Sequence, residues 1–219
     1  MSSDPAKERL YQAIGRVAAA LASAGRLQIL EFVAQGERSV DALAAMTGLS
    51  VANTSKHLQG LRQAGLVHAR KEGLRVFYSL AGDDVSLLLA SLRGVAEHRA
   101  ADVERLLKTW LAHRDELDPV PAREVLQRLK GGLVTVLDVR PAEEFAAGHL
   151  PGAINVPVEK LEALLSKLPR RKEVIAYCRG PYCLMSFDAV EKLRKRGFKA
   201  KRLRDGFPEW RAAGLPVER

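Results

Sequence analysis

Cys178 and Cys183 are the only two cysteines in a chain of 219 residues, and they stand five positions apart. They close the stretch Val174-Ile175-Ala176-Tyr177-Cys178-Arg179-Gly180-Pro181-Tyr182-Cys183. An apolar run of strand formers ends at Cys178, a glycine and a proline follow, and a helical pattern resumes near Leu184. A loop between a strand end and a helix start turns backbone N–H groups toward whatever sits at its base. A thiol held there is expected to have a lowered pKa and to react as the thiolate. Arg179 adds positive charge beside it.

A second group of residues suits nucleic acid. On a predicted helix from Val51 to about Ala64, the residues Val51, Thr54, Leu58 and Leu61 fall on one side and are expected to face a core. The other side then presents Ala52, Asn53, Lys56, Gln59 and Gln63. Amides pair with adenine edges in the major groove, and cations pair with guanine or phosphate. A predicted hairpin just downstream adds Arg70, Lys71 and Arg75 for phosphates beside the groove. With His57 and Arg62 the candidate DNA-binding set is Ala52, Asn53, Lys56, His57, Gln59, Arg62, Arg70, Lys71 and Arg75. From Asn53 to Val76 the chain holds five cations and one anion, Glu72.

The elements that must position these groups follow from periodicity. Leu10, Ile14, Val17 and Leu21 recur at helical spacing before Gly25, and Leu27, Ile29, Leu30 and Val33 predict a second helix ending near Gly36. Ser39 or Asp41 can cap a third helix, Val40–Met46, and Thr47-Gly48-Leu49 makes a tight turn into Ser50, the expected cap of the fourth. Gly65 stops that helix. Strands are expected at Val67–Arg70 and Arg75–Leu80, joined around Lys71-Glu72-Gly73. One long helix is then expected from Asp84 to Glu116. Its apolar positions, including Leu88, Leu92, Val95, Leu106 and Trp110, approach a heptad seam. Such a seam serves either as a dimer arm or for packing within its own domain.

Asp118-Pro119-Val120-Pro121 marks the expected boundary, because two prolines end a helix and favour an extended connection. Beyond it the pattern becomes helix Arg123–Lys130, strand Leu133–Asp138, helix Leu161–Leu168, strand Val174–Tyr177, helix Leu184–Arg196 and strand Phe198–Leu203. That alternation predicts a parallel sheet covered by helices. The fold class expected is therefore multidomain. A mostly α winged helix-turn-helix domain for DNA binding and dimerisation occupies residues 1–118, and an α/β domain occupies 119–219.

Composition narrows the class. Hydrophobic residues make up 47% and charged residues 28%, as in a soluble globular protein. No secretory leader or membrane-length apolar run is visible, and two cysteines are too few for a disulfide scaffold. A reducing, cytoplasmic location with no membrane partner is expected. The net charge of +9 is uneven: residues 1–118 carry 15 Lys and Arg against 14 Asp and Glu, leaving 20 against 12 for residues 119–219. The basic run Arg194–Arg204 serves either solubility or the attraction of small anions or flanking DNA phosphates.

Three stretches carry a family resemblance at the N-terminal end. They are Ala24-Gly25-Arg26-Leu27-Gln28-Ile29-Leu30, Leu43-Ala44 through Gly48-Leu49-Ser50, and Ser55-Lys56-His57-Leu58-Gln59-Gly60-Leu61-Arg62-Gln63-Ala64-Gly65-Leu66-Val67. With the hairpin end Arg75–Leu80 they strongly resemble the ArsR/SmtB repressor family, over about residues 10–115. The resemblance implies a homodimer, held through the first and last helices of the domain, that binds palindromic double-stranded operator DNA and lets go when an inducer arrives. Family members that sense metals through cysteines near the third helix are not matched, because Val40–Met46 holds no thiol. Asp84, His98, Asp102 and His113 lie on the last helix, but their spacing departs from the family's ligand set, and no metal is expected.

Leu137-Asp138-Val139-Arg140, Glu144-Phe145, Gly148-His149-Leu150-Pro151-Gly152-Ala153-Ile154-Asn155, Tyr177-Cys178-Arg179 and Gly206-Phe207-Pro208-Glu209-Trp210 resemble a single rhodanese domain, in the family's order. Asp205 departs from it, since a glycine pair is more usual there. The resemblance makes Cys178 the nucleophile that accepts sulfane sulfur as a persulfide, with Arg179, Gly180, Pro181, Tyr182 and Cys183 wrapped around it. Asp138 and Arg140 are expected to brace the loop as an ion pair. Cys183 is either a small loop-closing residue or a resolving thiol that attacks the persulfide. Fold relatives with phosphatase chemistry end a longer loop in an arginine, and Leu184 stands at that position. Small sulfur-containing anions or persulfides are the implied partners, with no cofactor. Two functions stay open: a regulator, expected to be a repressor, whose rhodanese domain receives sulfur on Cys178, and a sulfurtransferase enzyme localised by its DNA-binding domain.

Overall fold

The computed structural model describes residues 4–111, 119–165, 168–170 and 172–219. Contacts divide the chain into two compact units, Met1–Val85 and Ser86–Arg219. The first opens with helix α1 (Pro5–Leu21), where Asp4 caps the end by accepting from the Ala6 N–H and Pro5 fills the first turn. Helix α2 (Ala24–Val33), the short strand β1 (Arg38–Ser39) and helix α3 (Val40–Thr47) follow. Ser39 caps α3, and Gly48 ends it in the left-handed conformation at φ +70. Helix α4 (Val51–Gln63) begins at Ser50, whose hydroxyl accepts from the Asn53 N–H at 3.2 Å.

Strands β2 (Val67–Glu72) and β3 (Arg75–Leu80) form the expected hairpin, turning at Gly73 with φ +59. The sheet order is β1-β3-β2, all antiparallel, and β1 was not signalled by the sequence pattern. Ile29, Leu30, Leu43, Leu58, Leu61 and Tyr78 are buried, so α2, α3, α4 and the hairpin share one core. Val51, expected to face that core, is 50% exposed at the first turn of α4. Only Thr54, Leu58 and Leu61 are buried on that helix.

Helix α5 (Asp83–Arg99) starts just after β3, and helix α6 (Ala101–Leu111) succeeds it. The single long helix expected over 84–116 is thus interrupted at Ala100, although the Ala100 N–H still reaches the Ala96 carbonyl at 2.9 Å. Neither glycine nor proline marks that interruption. Residues 112–116, His113 and the boundary residue Asp118 lie outside the described residues.

The second unit continues through helix α7 (Ala122–Lys130), strand β4 (Val134–Asp138), helix α8 (Ala142–Ala147), strand β5 (Ile154–Asn155), helix α9 (Leu161–Leu164), strand β6 (Glu173–Tyr177), helix α10 (Leu184–Lys195), strand β7 (Ala200–Arg202) and helix α11 (Phe207–Ala212). The sheet runs β5-β4-β6-β7, every pairing parallel. Side chains of β6 alternate between two cores: Val174 and Ala176 join Phe187, Val190 and Leu193 of α10, whereas Ile175 and Tyr177 join Val125 of α7 and Phe207 and Trp210 of α11. Burial on both faces is what a parallel sheet requires. Leu107 and Leu111 of α6 pack on the α10 side. The short elements α8, β5 and α11 had no periodicity long enough to predict them, and β7 is shorter than the expected Phe198–Leu203. The end of the expected helix Leu161–Leu168 includes residues outside those described.

Ser50 satisfies an N–H that would otherwise be left open at the start of α4. Replacing it with alanine is expected to lower stability by about 1 kcal/mol, read as a lower urea midpoint with an unchanged slope. An unchanged midpoint would show that solvent caps the helix equally well.

Candidate active loop and nucleic-acid face

The loop from Cys178 to Cys183 joins β6 to α10, and the Cys183 N–H closes it onto the Gly180 carbonyl at 3.1 Å. Its base is fixed from several directions. The Phe207 N–H donates to the Cys178 carbonyl at 3.2 Å. Gly206 lies so close that a Cβ there would stand 2.4 Å from the Arg179 carbonyl carbon and from the Gly180 nitrogen. Contact with the loop backbone therefore explains why one glycine of the usual pair is present, while Asp205 occupies the other place. The Arg179 guanidinium forms a fork with Glu144 of α8, Nε at 3.0 Å and Nη2 at 2.7 Å, and Glu144 is buried. A guanidinium and a carboxylate in that geometry make two parallel charge-assisted bonds.

Asp138 and Arg140 form a fully buried ion pair at the end of β4, with Nη2 at 2.6 Å and the Arg140 N–H at 2.9 Å from the carboxylate. The Tyr177 hydroxyl donates to the same Asp138 carboxylate and accepts from the Leu150 N–H at 3.1 Å. Arg140 also donates to the Gly148 carbonyl at 2.7 Å, and its guanidinium lies over the Phe207 ring at 4.4 Å. Burial opposes the Arg140 charge, but the Asp138 carboxylate keeps its pKa above the ordinary value. Burial, then the Asp138 charge, raises that of Tyr177. These residues do not touch a sulfur: they hold Tyr177 and Phe207, which in turn hold Cys178. They are positioning residues.

The two thiols differ sharply. Cys178 is 1% exposed, inside the core with Leu137 and Phe187. Its sulfur lies 3.3 Å from the Cys183 carbonyl oxygen, 3.7 Å from that of Gly180 and 3.1 Å from the Ser186 hydroxyl. Burial and the neighbouring Cys183 sulfur push the Cys178 thiol well up. Cys183 is half-buried at the N-cap position of α10, without a side-chain cap bond. A hydrogen bond from Cys178 and the backbone N–H groups of Met185 and Arg179 bring its pKa down to about 7. The lowering expected at Cys178 thus falls on Cys183, while the carbonyl oxygens of Gly180 and Cys183 face the buried Cys178 sulfur. No disulfide joins them.

Tyr182, at the crest of the loop, donates to Glu97 of α5 at 2.5 Å, and its ring meets Trp110 of α6 at 6.3 Å between centroids, tilted by 58°. Nothing in the sequence pattern signalled either contact. Arg93 of α5 pairs with Glu209 of α11, and the other oxygen of Glu209 accepts from the Gly206 N–H at 3.0 Å. Leu184 stands at the start of α10 against the core. His149 stacks on Phe145 at 3.7 Å and bonds its carbonyl through Nδ1 at 3.0 Å. Within the basic run, Arg202 is buried over the Phe187 ring, and Arg194 donates to the Ala200 carbonyl at 2.8 Å.

In the first unit, Ala52, Asn53, Lys56, Gln59, Arg62 and Gln63 are all exposed on α4. Together they form one polar face opposite Thr54, Leu58 and Leu61. His57 is half-buried and turns toward α2, where the missing side chain of Gly25 leaves room for its imidazole. On the hairpin Lys71 and Arg75 are exposed, whereas Arg70 is engaged by Glu37 at 2.6 Å and Glu72 at 2.5 Å and lies over Phe77. Of the candidate metal ligands, His98 is bonded through Nδ1 to the Gly94 carbonyl at 2.6 Å. Among the described residues no group of three His, Cys, Asp or Glu is gathered as a metal site. No helix there is long and apolar enough to cross a membrane.

A helix-turn-helix with a β wing, followed by a parallel α/β unit with a cysteine loop at a strand end, defines a regulator joined to a rhodanese-like module. Residues 23–69 match the bacterial regulatory protein, arsR family, and residues 121–213 match the rhodanese-like domain. The chain is 46% identical over 212 residues to the HTH-type transcriptional regulator Rv0324 of Mycobacterium tuberculosis, covering 97% of this chain and 93% of that protein. It belongs to the ArsR family of bacterial regulators, in a form that carries a C-terminal rhodanese-like domain. A sulfurtransferase of Allochromatium vinosum is 31% identical over 85 residues, 38% of this chain and 78% of that protein. The homodimeric winged helix-turn-helix DNA-binding domain of Mb0332 from Mycobacterium bovis is 42% identical with a TM-score of 0.42, covering 47% of this chain and 94% of that one.

Removing the Asp138 carboxylate would take away the opposite charge beside the buried Arg140 guanidinium. Asp138→Ala is expected to destabilise the protein by about 3–5 kcal/mol, with faster alkylation of Cys178 under native conditions. An unchanged denaturation midpoint would show that the pair does not hold the loop base.

Proposed function

We propose that the chain is a cytoplasmic, homodimeric repressor that binds operator DNA through α4 and the wing and responds to reactive sulfur received on Cys178. The functional division is 1–118 for DNA binding and dimerisation and 119–219 for sulfur reception. The observation that carries this reading is the grip of Tyr182 on Glu97 and Trp110. Helices α5 and α6 belong to the first part by function, yet α6 packs its Leu107 and Leu111 into the rhodanese-like core. A loop reshaped by a persulfide therefore acts directly on the helix that follows the wing. Exposed apolar residues on α1 (Leu10, Tyr11, Ile14) and on α5 (Leu88, Leu92, Val95) supply two faces for a second copy of the chain.

Coupling of this kind needs the modification to favour one state over the other by about 1–3 kcal/mol, or about 5–150-fold in affinity. The alternative, a sulfurtransferase in which DNA binding only localises the enzyme, is favoured by the likeness to a protein named as a sulfurtransferase. Burial of Cys178 supports reception over rapid turnover.

Operator affinity measured before and after polysulfide treatment separates the two. The wild type is expected to weaken by at least about fivefold, Cys178→Ser to show no response, and Tyr182→Phe to take up sulfur while releasing DNA less. If treated wild-type protein binds its operator as tightly as untreated protein, the sensor reading fails. Steady thiocyanate formation from thiosulfate and cyanide, with operator binding unchanged, would establish the enzyme instead.

A further inference from the structure

We propose that Arg93 is a positioning residue for the Cys178 loop, acting with Glu97 so that helix α5 holds the loop at its base and at its crest. This rests on the reading of the loop as a sulfur receiver and deepens it. Two chains of contact carry it. At the base, Arg93 pairs with one oxygen of Glu209, and the other oxygen accepts from the Gly206 N–H at 3.0 Å. The Gly206 backbone lies against the loop, since a Cβ there would stand 2.4 Å from the Arg179 carbonyl carbon. The Phe207 N–H then donates to the Cys178 carbonyl at 3.2 Å.

At the crest, Glu97 accepts from the Tyr182 hydroxyl at 2.5 Å, and Tyr182 directly precedes Cys183. Arg93 and Glu97 stand four positions apart on α5, so they share one face about 6 Å apart along its axis. One rigid element therefore fixes both ends of the loop. The side chains of Arg93 and Glu209 are 26% and 14% exposed, so water screens this pair less than a surface pair. Asp205, on the other flank of Gly206, also lies within the electrostatic reach of Arg93. The exposed residues Leu88, Leu92 and Val95 occupy a different face of the same helix.

Packing makes the clamp matter. Cys178 is 1% exposed in a core shared with Leu137 and Phe187, so one more sulfur atom on it forces its surroundings to shift. A shift at the loop base works on Gly206, Glu209 and then Arg93. A shift at the crest works on Tyr182 and then Glu97. Both routes end on α5, which begins at Asp83, just past the end of the wing strand at Leu80. Cutting the base link leaves the sulfur chemistry in place but lets the loop open without moving the helix.

Native-state alkylation of Cys178 by iodoacetamide, read by site-resolved mass spectrometry of the full-length protein, tests this. A buried thiol reacts when the loop opens, so the rate reports the opening equilibrium. Arg93→Gln is expected to react about tenfold faster than wild type. One Arg93 nitrogen meets Glu209, so Arg93→Lys, which keeps the charge, is expected to stay within about threefold of wild type. Glu209→Gln keeps an oxygen for the Gly206 N–H; it is expected to match Arg93→Gln, and the double variant to react no faster than either. A wild-type rate in Arg93→Gln, no rescue by lysine, or additive effects in the double variant overturns the proposal. After polysulfide treatment, Arg93→Gln is expected to take up sulfur at least as fast as wild type yet weaken less on its operator. Absence of the alkylation pattern with the wild-type operator response intact sinks this proposal alone. The pattern present with no operator response in wild type sinks the sensor reading alone.

Discussion

The carboxylate of Asp138 is the point on which the rhodanese-like unit turns. It is fully buried at the end of β4, and a buried carboxylate costs several kcal/mol unless charge and hydrogen bonds compensate it. Arg140 supplies the charge, and the Tyr177 hydroxyl and Arg140 N–H supply bonds. Each partner is itself committed elsewhere: Tyr177 to Leu150, Arg140 to Gly148 and the Phe207 ring. The residue after Tyr177 is Cys178, and Phe207 holds its carbonyl. Geometry at the sulfur is therefore set by a charge pair that never touches it.

Much of this was legible in the sequence because both units follow strong local rules. Ser39 and Ser50 capped the helices expected of them, Gly73 turned the wing, and the apolar runs of β4 and β6 became adjacent parallel strands. The long apolar pattern beyond Asp84 was harder. Its heptad spacing hid a break at Ala100, since a helix can be interrupted by packing with no change of residue type. The short pieces α8, β5 and α11 span too few residues to show a period, and they become visible only through partners distant in the chain, such as Glu144 with Arg179.

The candidate site was legible in its membership and not in its electrostatics. Residue types and order placed both cysteines in one loop, but the loop's curvature sets carbonyl oxygens against the Cys178 sulfur. That curvature depends on Gly206, twenty-eight residues beyond Cys178, whose missing side chain admits the loop backbone. In the same way α4 showed its polar face in the pattern, while the turn of His57 toward Gly25 and the engagement of Arg70 by Glu37 came from contacts across the fold.

Tyr182 carries a consequence for how such a protein can be taken apart. Its hydroxyl and ring are spent on Glu97 and Trp110, residues upstream of the proline-flanked connection at Pro119 and Pro121. A rhodanese-like module cut at those prolines would leave behind two of the groups against which its own reactive loop is shaped. Chimeras that exchange sensing modules between regulators should therefore join within the wing-to-α5 turn around Ala81-Gly82, so that the loop travels with the helices that hold it.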